Sequence, residues 1–379
     1  MSSDSPATSF GQCLAQELTD MIIDFLHDDK RSLRHCSLVC SAWTREAHYH
    51  LFYSQRVEAR NEEGGYLEQL KKPFADPFRT HIRELALSAG PIHTLSPVLT
   101  DDVVVTVMTT LSRIRFLKLR QTGYVGSIAE ESRFRLCSLS VSWMYPSIPG
   151  TPTSLVSLLS LFHTIRTLDL EVIHRKHLFT EEMLGAEVSL LPKPVRVHTL
   201  QLHDISAQLL GTLQRTICSE YLQTIRASIT AAEDTAHIGA FLRVMGENLR
   251  HFQLSIWNFW GNDRADWSAL ELEKCPSLRS VVILYANSGP FYSWDTVFQI
   301  LRVIPSSVTD VTLVVRETNC LQAVDWRKMQ SELERFGKLE KLRFALCTGD
   351  TFRSRALKPD VQKRVWAGLP ELKARGILW

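Results

Sequence analysis

The feature that most constrains this chain is a short apolar pattern that returns at nearly even intervals. Segments of the form apolar-x-x-apolar-x-apolar begin at Ile82, Ile114, Phe134, Ile165, Val197, Leu222, Leu249, Leu278, Val308 and Leu339, on average about 29 residues apart. With 45% of 379 residues hydrophobic, such a template often matches by chance, so the weight rests on the even spacing and on what fills the gaps. The gaps carry helical periodicity at Asp101–Leu111, Ser154–Phe162, Ala207–Ile217, Ile238–Met245, Trp294–Val303 and Met329–Phe336. Strand then helix, repeated, predicts a solenoid. Each strand puts residues such as Ile165, Leu168 and Leu170 on a face that one repeat cannot cover, so neighbours must stack to bury it. A strand at Tyr53–Ala59 and a helix at Tyr66–Leu70 are expected to open the stack, and a helix at Val361–Trp366 with the apolar end Ile377, Leu378, Trp379 to close it.

The region before the stack reads differently. From Leu14 to Phe52 three short amphipathic helices are expected: one through Leu18, Ile22, Phe25 and Leu26, a second capped by Ser32 with Leu33, Cys36, Val39, Cys40 and Trp43 on its apolar side, and a third running on through Ala47, His48 and Leu51 to Phe52. A unit this small carries apolar residues on more than one face and cannot bury them alone, so it needs a partner surface.

Composition removes several function classes. Forty-three Lys and Arg against 41 Asp and Glu leave a net charge of +2, too little to advertise a nucleic-acid binder. No apolar run is long enough to span a membrane. The first residues lack the cationic start and apolar centre of a secretory signal. The eight Cys are scattered, with no Cys-x-x-Cys pair, which fits a reducing compartment, cytoplasmic or nuclear. Cys36 and Cys40, one helical turn apart, read as two small residues of a buried stripe. Phosphate-loop, dinucleotide, acyl-transfer and zincin motifs are all missing, and the His48/His50 and His174/His177 pairs lack a full ligand set, so no active site, cofactor or metal is expected.

The stretch Leu14-Ala15-Gln16-Glu17-Leu18, then Ile22 and Leu26, then Ser37-Leu38-Val39-Cys40-Ser41-Ala42-Trp43, then Leu51-Phe52 resembles an F-box. The rest resembles the degenerate leucine-rich-repeat domain of fungal F-box proteins. The fold class this implies is an α/β, leucine-rich-repeat-like solenoid of about 10 to 11 strand-helix repeats over residues 53–379, with a C-terminal cap, behind a three-helix F-box over residues 10–52. Two positions depart from the family pattern. Ala15 replaces the usual Pro, loosening the first turn, and of the ten positions where an Asn ladder would run, only Cys347 fits. The resemblance implies a substrate-receptor subunit of an SCF-type ubiquitin ligase. Its head would dock on a Skp-type adaptor, and through it a cullin and a RING protein, by Leu14, Glu17, Leu18, Ile22, Val39 and Trp43. Its solenoid would hold a protein target.

Two alternatives stand beside this reading: a head folded back onto the solenoid, and a non-catalytic interaction scaffold unconnected with ubiquitin. For the target, aromatic clusters after predicted strands, Trp257, Trp260, Tyr285, Phe291 and Tyr292 with Trp143 and Tyr145 farther back, are expected to share one rim. Burial as core is the competing role for the same side chains. The basic stretch Arg353, Arg355, Lys358, Lys363 and Arg364 is expected to be a solvated face.

Overall fold

In a computed structural model of the chain, all ten repeated segments lie on neighbouring strands of a single sheet. The structure describes residues 15–58, 72, 76–88, 98–120, 123–127, 129, 131, 133–143, 155–172, 193–203, 205–256, 265–285, 294–347 and 354–378. Its strands are β1 (Ser54–Glu58), β2 (Glu84–Ser88), β3 (Val98–Thr100), β4 (Phe116–Arg120), β5 (Gly123–Val125), β6 (Phe134–Trp143), β7 (Phe162–Val172), β8 (Arg196–Leu202), β9 (Thr224–Ile229), β10 (His251–Ile256), β11 (Ser280–Tyr285), β12 (Asp310–Val315), β13 (Lys341–Cys347) and β14 (Ser354–Ala356). The 12-stranded sheet follows chain order from β1 to β14, with β3 and β5 pairing apart as a two-stranded sheet. Every neighbour in the main sheet is parallel except β14, which returns antiparallel on β13.

The register explains why the apolar pattern repeats. Leu85, Leu117, Leu139, Leu168, Leu200, Ile225, Phe252, Val281, Val311 and Leu342 form one continuous row across the sheet. A second row two residues on runs from Val57 and Leu87 through Leu254 and Ile283 to Leu313 and Phe344. Both rows are buried in one core from Val57 to Ile377, each large side chain contributing about 1.5–3 kcal/mol relative to exposure. One template start is corrected. On β6 the residues in register are Leu136, Leu139 and Val141 rather than Phe134, Cys137 and Leu139, because β6 begins early and shifts register between Phe134 and Arg135.

The helices are α1 (Gln16–Phe25), α2 (Lys30–Cys36) and α3 (Ser41–Tyr53) in the head, then, along the solenoid, α4 (Asp76–Arg79), α5 (Asp101–Thr110), α6 (Leu155–Ser160), α7 (Ala207–Thr216), α8 (Glu233–Met245), α9 (Trp294–Val303), α10 (Trp326–Glu334), α11 (Pro359–Gly368) and α12 (Pro370–Ala374). Between β10 and β11 two 3-10 turns, Trp267–Leu270 and Leu272–Lys274, replace the helix. The backbone itself stitches the strand starts. Before β2, β4, β9, β10, β11 and β12 the carbonyl preceding the strand accepts two amides from the next repeat, as Arg250 O takes Arg279 N and Ser280 N at 2.9 and 3.0 Å, and Arg279 O takes Thr309 N and Asp310 N at the same distances. Where this stitch runs, stacking needs no side-chain ladder.

Cys275, fully buried beneath this stack, has its thiol pushed up to about 11 by burial. Thiolate is the reactive form. Native protein at pH 8 should therefore resist alkylation at Cys275 and react there only after unfolding, as peptide mass spectrometry would read. Native labelling at Cys275 as fast as at the exposed Cys40 would refute this packing.

Candidate functional site

The head keeps a small core of its own. Ile23, Leu33, Cys36 and Ala47 are buried together, with Leu26, Trp43 and Leu51 against them, whereas Phe52 packs on the solenoid's core and meets the Phe78 ring at 4.5 Å. Asp29, rather than Ser32, caps α2, accepting from Arg31 N and Ser32 N at 3.0 and 3.1 Å, because its carboxylate stands one turn before the free amides. Cys36 lies in the head's core but Cys40 is exposed at the start of α3, so the expected buried pair is split.

On α1 the inward side is Thr19 and Ile23. The apolar residues at i, i+3, i+4 and i+7, Leu18, Met21, Ile22 and Phe25, point to solvent, with Leu18 half exposed and Phe25 87% exposed. Leu38 (83%) and Val39 beyond α2 are exposed as well. Of seven large hydrophobic side chains exposed among the described residues, these are six; Val244 is the other. Such clustering marks a surface built to be covered.

The adaptor residues named from sequence therefore divide. Leu18, Ile22, Val39 and Glu17 are exposed on the head. Trp43 sits half-buried against the head's own core, and Leu14 lies outside the described residues. Met21, Phe25 and Leu38 are exposed beside them, outside the set named from sequence. The helical spacing of Leu18, Met21, Ile22 and Phe25 was the signal, but periodicity does not say which of two apolar faces turns inward.

Beneath this face α1 is clasped to α3. His50 Nε2 lies 2.7 Å from Asp24 Oδ1 and 3.5 Å from Glu46 Oε1, and ligand-capable atoms of the three side chains fall within 4.8 Å of one another. Burial raises the Glu46 carboxyl above its ordinary value, with His50 pulling the other way. One imidazole edge thus serves two carboxylates and fixes the angle of α1.

The sheet's other face is polar in its middle. Ser140, Asp169, Gln201, Arg226 and Gln253 stand side by side in register. Ser140 Oγ donates to Asp169 Oδ2 at 3.0 Å, and His203 Nε2 meets Asp169 Oδ1 at 3.0 Å. The carboxylate, not the imidazole, faces the serine hydroxyl, the reverse of a nucleophile-base order. Burial lowers Arg226 below the usual arginine value, opposed by the charge of Asp169. Toward the C-terminal end the same face turns apolar at Leu284, Val314 and Ala345.

The aromatic rim is corrected in part. Tyr285 is 4% exposed, because it continues the inward row Ile229, Ile256, Tyr285, Val315 and Leu346. Trp267 and Trp294 are core residues too, Trp294 Nε1 donating to Cys320 O at 2.9 Å. Trp143 ends β6, while Tyr145, Trp257, Trp260, Phe291 and Tyr292 lie outside the described residues.

The fold is a leucine-rich-repeat-like solenoid with an α/β repeat, carried behind a helical head. No family model and no curated protein matches the chain. Among solved structures it is similar to the leucine-rich repeat-containing protein LegL7 from Legionella pneumophila, at 14% identity and a TM-score of 0.47, covering 84% of this chain and 98% of that one. It is also similar to a chain of the Rad7 and Elc1 complex in yeast, at 14% identity and a TM-score of 0.34, covering 89% of this chain and 91% of that one. No helix among the described residues is long and apolar enough to cross a membrane.

Proposed function

We propose that this chain is a substrate receptor of an SCF-type ubiquitin ligase, in which the head docks on a Skp-type adaptor and the solenoid holds a protein target, with no chemistry of its own. The observation that carries the reading is the face of Leu18, Met21, Ile22, Phe25, Leu38 and Val39, left open by a head that has its own small core. A short head with an outward apolar face is what docking requires. The mechanism is tethering, in which target and charged ubiquitin carrier are held in one assembly and their effective concentration rises.

The test is calorimetric titration of the full chain with a recombinant Skp-type adaptor. Leu18→Ser with Phe25→Ser, both on exposed positions, should weaken binding by about 2 kcal/mol or more, roughly thirtyfold, while circular dichroism stays unchanged. No measurable adaptor affinity in the unaltered chain, or equal affinity in the double variant, would leave the scaffold reading in its place.

A further inference from the structure

We propose that the C-terminal end of the solenoid is a docking site for an acidic peptide segment bearing one bulky apolar side chain. Residues 338–379 carry ten Lys and Arg against four Asp and Glu, a net +6, whereas the preceding 337 residues hold 33 cations and 37 anions, a net −4. The net positive charge of the chain is thus gathered in its last 42 residues, and the described ones among them, 338–347 and 354–378, carry nine Lys and Arg against three Asp and Glu.

At that end lies a cavity of about 270 Å³, lined by Phe344, Leu357, Trp366 and Leu378 as apolar walls and by Arg343 and Gln362 as polar groups. Its place follows from how the edge strand is finished. The tail takes Leu342, whose amide donates to Ile377 O at 2.9 Å, and β14 pairs with Ala345–Cys347. Arg343 and Phe344 fall between those two ladder attachments. The Arg343 side chain is in no ion pair among the described residues, so its charge is available to a carboxylate.

Size and chemistry choose the occupant. The cavity falls short of the roughly 300–1,000 Å³ of ordinary ligand pockets and suits one anchoring side chain, the usual centre of a peptide interface. A basic surround selects acidic flanks by steering and complementarity. Nucleic acid fits less well, because Lys373 Nζ already stands 5.0 Å over the Trp366 ring, occupying a face on which a base would stack.

This deepens the proposed function by naming what the solenoid half grips. The experiment leaves the adaptor out, so its failure is separable from failure at the head. The probe is a fluorescein-labelled short peptide of Asp and Glu around one central Leu, read by anisotropy against the full chain at about 0.1 M salt. Replacing its Leu by Ser, or introducing Arg343→Glu or the cavity-filling Ala356→Trp, should each weaken binding about tenfold or more. Arg375→Glu changes the net charge equally but lies outside the cavity lining, and should weaken it by less than about threefold. Absence of binding by the unaltered chain, equal losses in Arg343→Glu and Arg375→Glu, indifference to the peptide's Leu, or tighter binding of a single-stranded DNA oligonucleotide would each overturn the proposal.

Discussion

Gly239→Ala should destabilise the solenoid by about 3 kcal/mol or more, at the top of the range for overpacking. Gly239 lies in the middle of α8, where glycine costs roughly 0.5–1 kcal/mol relative to alanine, so something else must require it. A Cβ there would stand 1.7 Å from the carbonyl oxygen of Ala269 and 2.8 Å from its carbon. Those are backbone atoms of the 3-10 turn Trp267–Leu270, which cannot swing aside as a side-chain tip could. Ala at position 239 must therefore part α8 from the turn and open the core at Phe241, Leu242 and Leu270. Gly211, in the middle of α7, has nothing within 4 Å of its Cβ position, and Gly211→Ala should stabilise by about 0.4–1 kcal/mol. Urea unfolding of both variants is the measurement. Midpoints that move the same way would show that helix propensity, not the approach of the turn, decides both.

The same pair shows what was legible in the sequence. The apolar rows were readable because a ladder in register must repeat its inward positions, and the repeat survives irregular gaps. Leu222, Leu249, Leu278, Val308 and Leu339 each precede their strand by two residues, and all are buried. Helices written between them were found because burial on one side imposes a 3.6-residue period. The turn that meets Gly239 was not legible, since close approach of two backbones leaves no side-chain pattern beyond the glycine itself.

On the head, the open face was readable as an excess of apolar residues but not in detail. Trp43, expected as an adaptor contact from the F-box resemblance, packs half-buried against the head's core, and large aromatic side chains fill either role equally well. Tyr285 is core rather than rim because strand parity, not residue type, decides the face, and it closes β11 on the inward row.

Phe252→Ala should cost about 3–5 kcal/mol, the range for removing a buried aromatic ring. Phe252 is buried in the first inward row with Ile225 on one side and Val281 on the other. In a stack each repeat is stabilised mainly by its neighbours, so a void at β10 weakens two interfaces and loosens repeats on both sides. The head should be spared. Its core of Ile23, Leu33, Cys36 and Ala47 is separate from the solenoid's, and β10 lies seven strand positions away from β1 in the sheet. Hydrogen exchange should accordingly speed up through β9, β10 and β11 in Phe252→Ala while protection in α1–α3 holds. In Ile23→Ala the loss should reverse, with α1–α3 exchanging faster and the central strands unchanged. If the Phe252 variant instead exposed head and stack together, the two cores would be one cooperative unit. The proposed division between a head that docks and a stack that holds a target would then fail, because neither could be altered without unfolding the other.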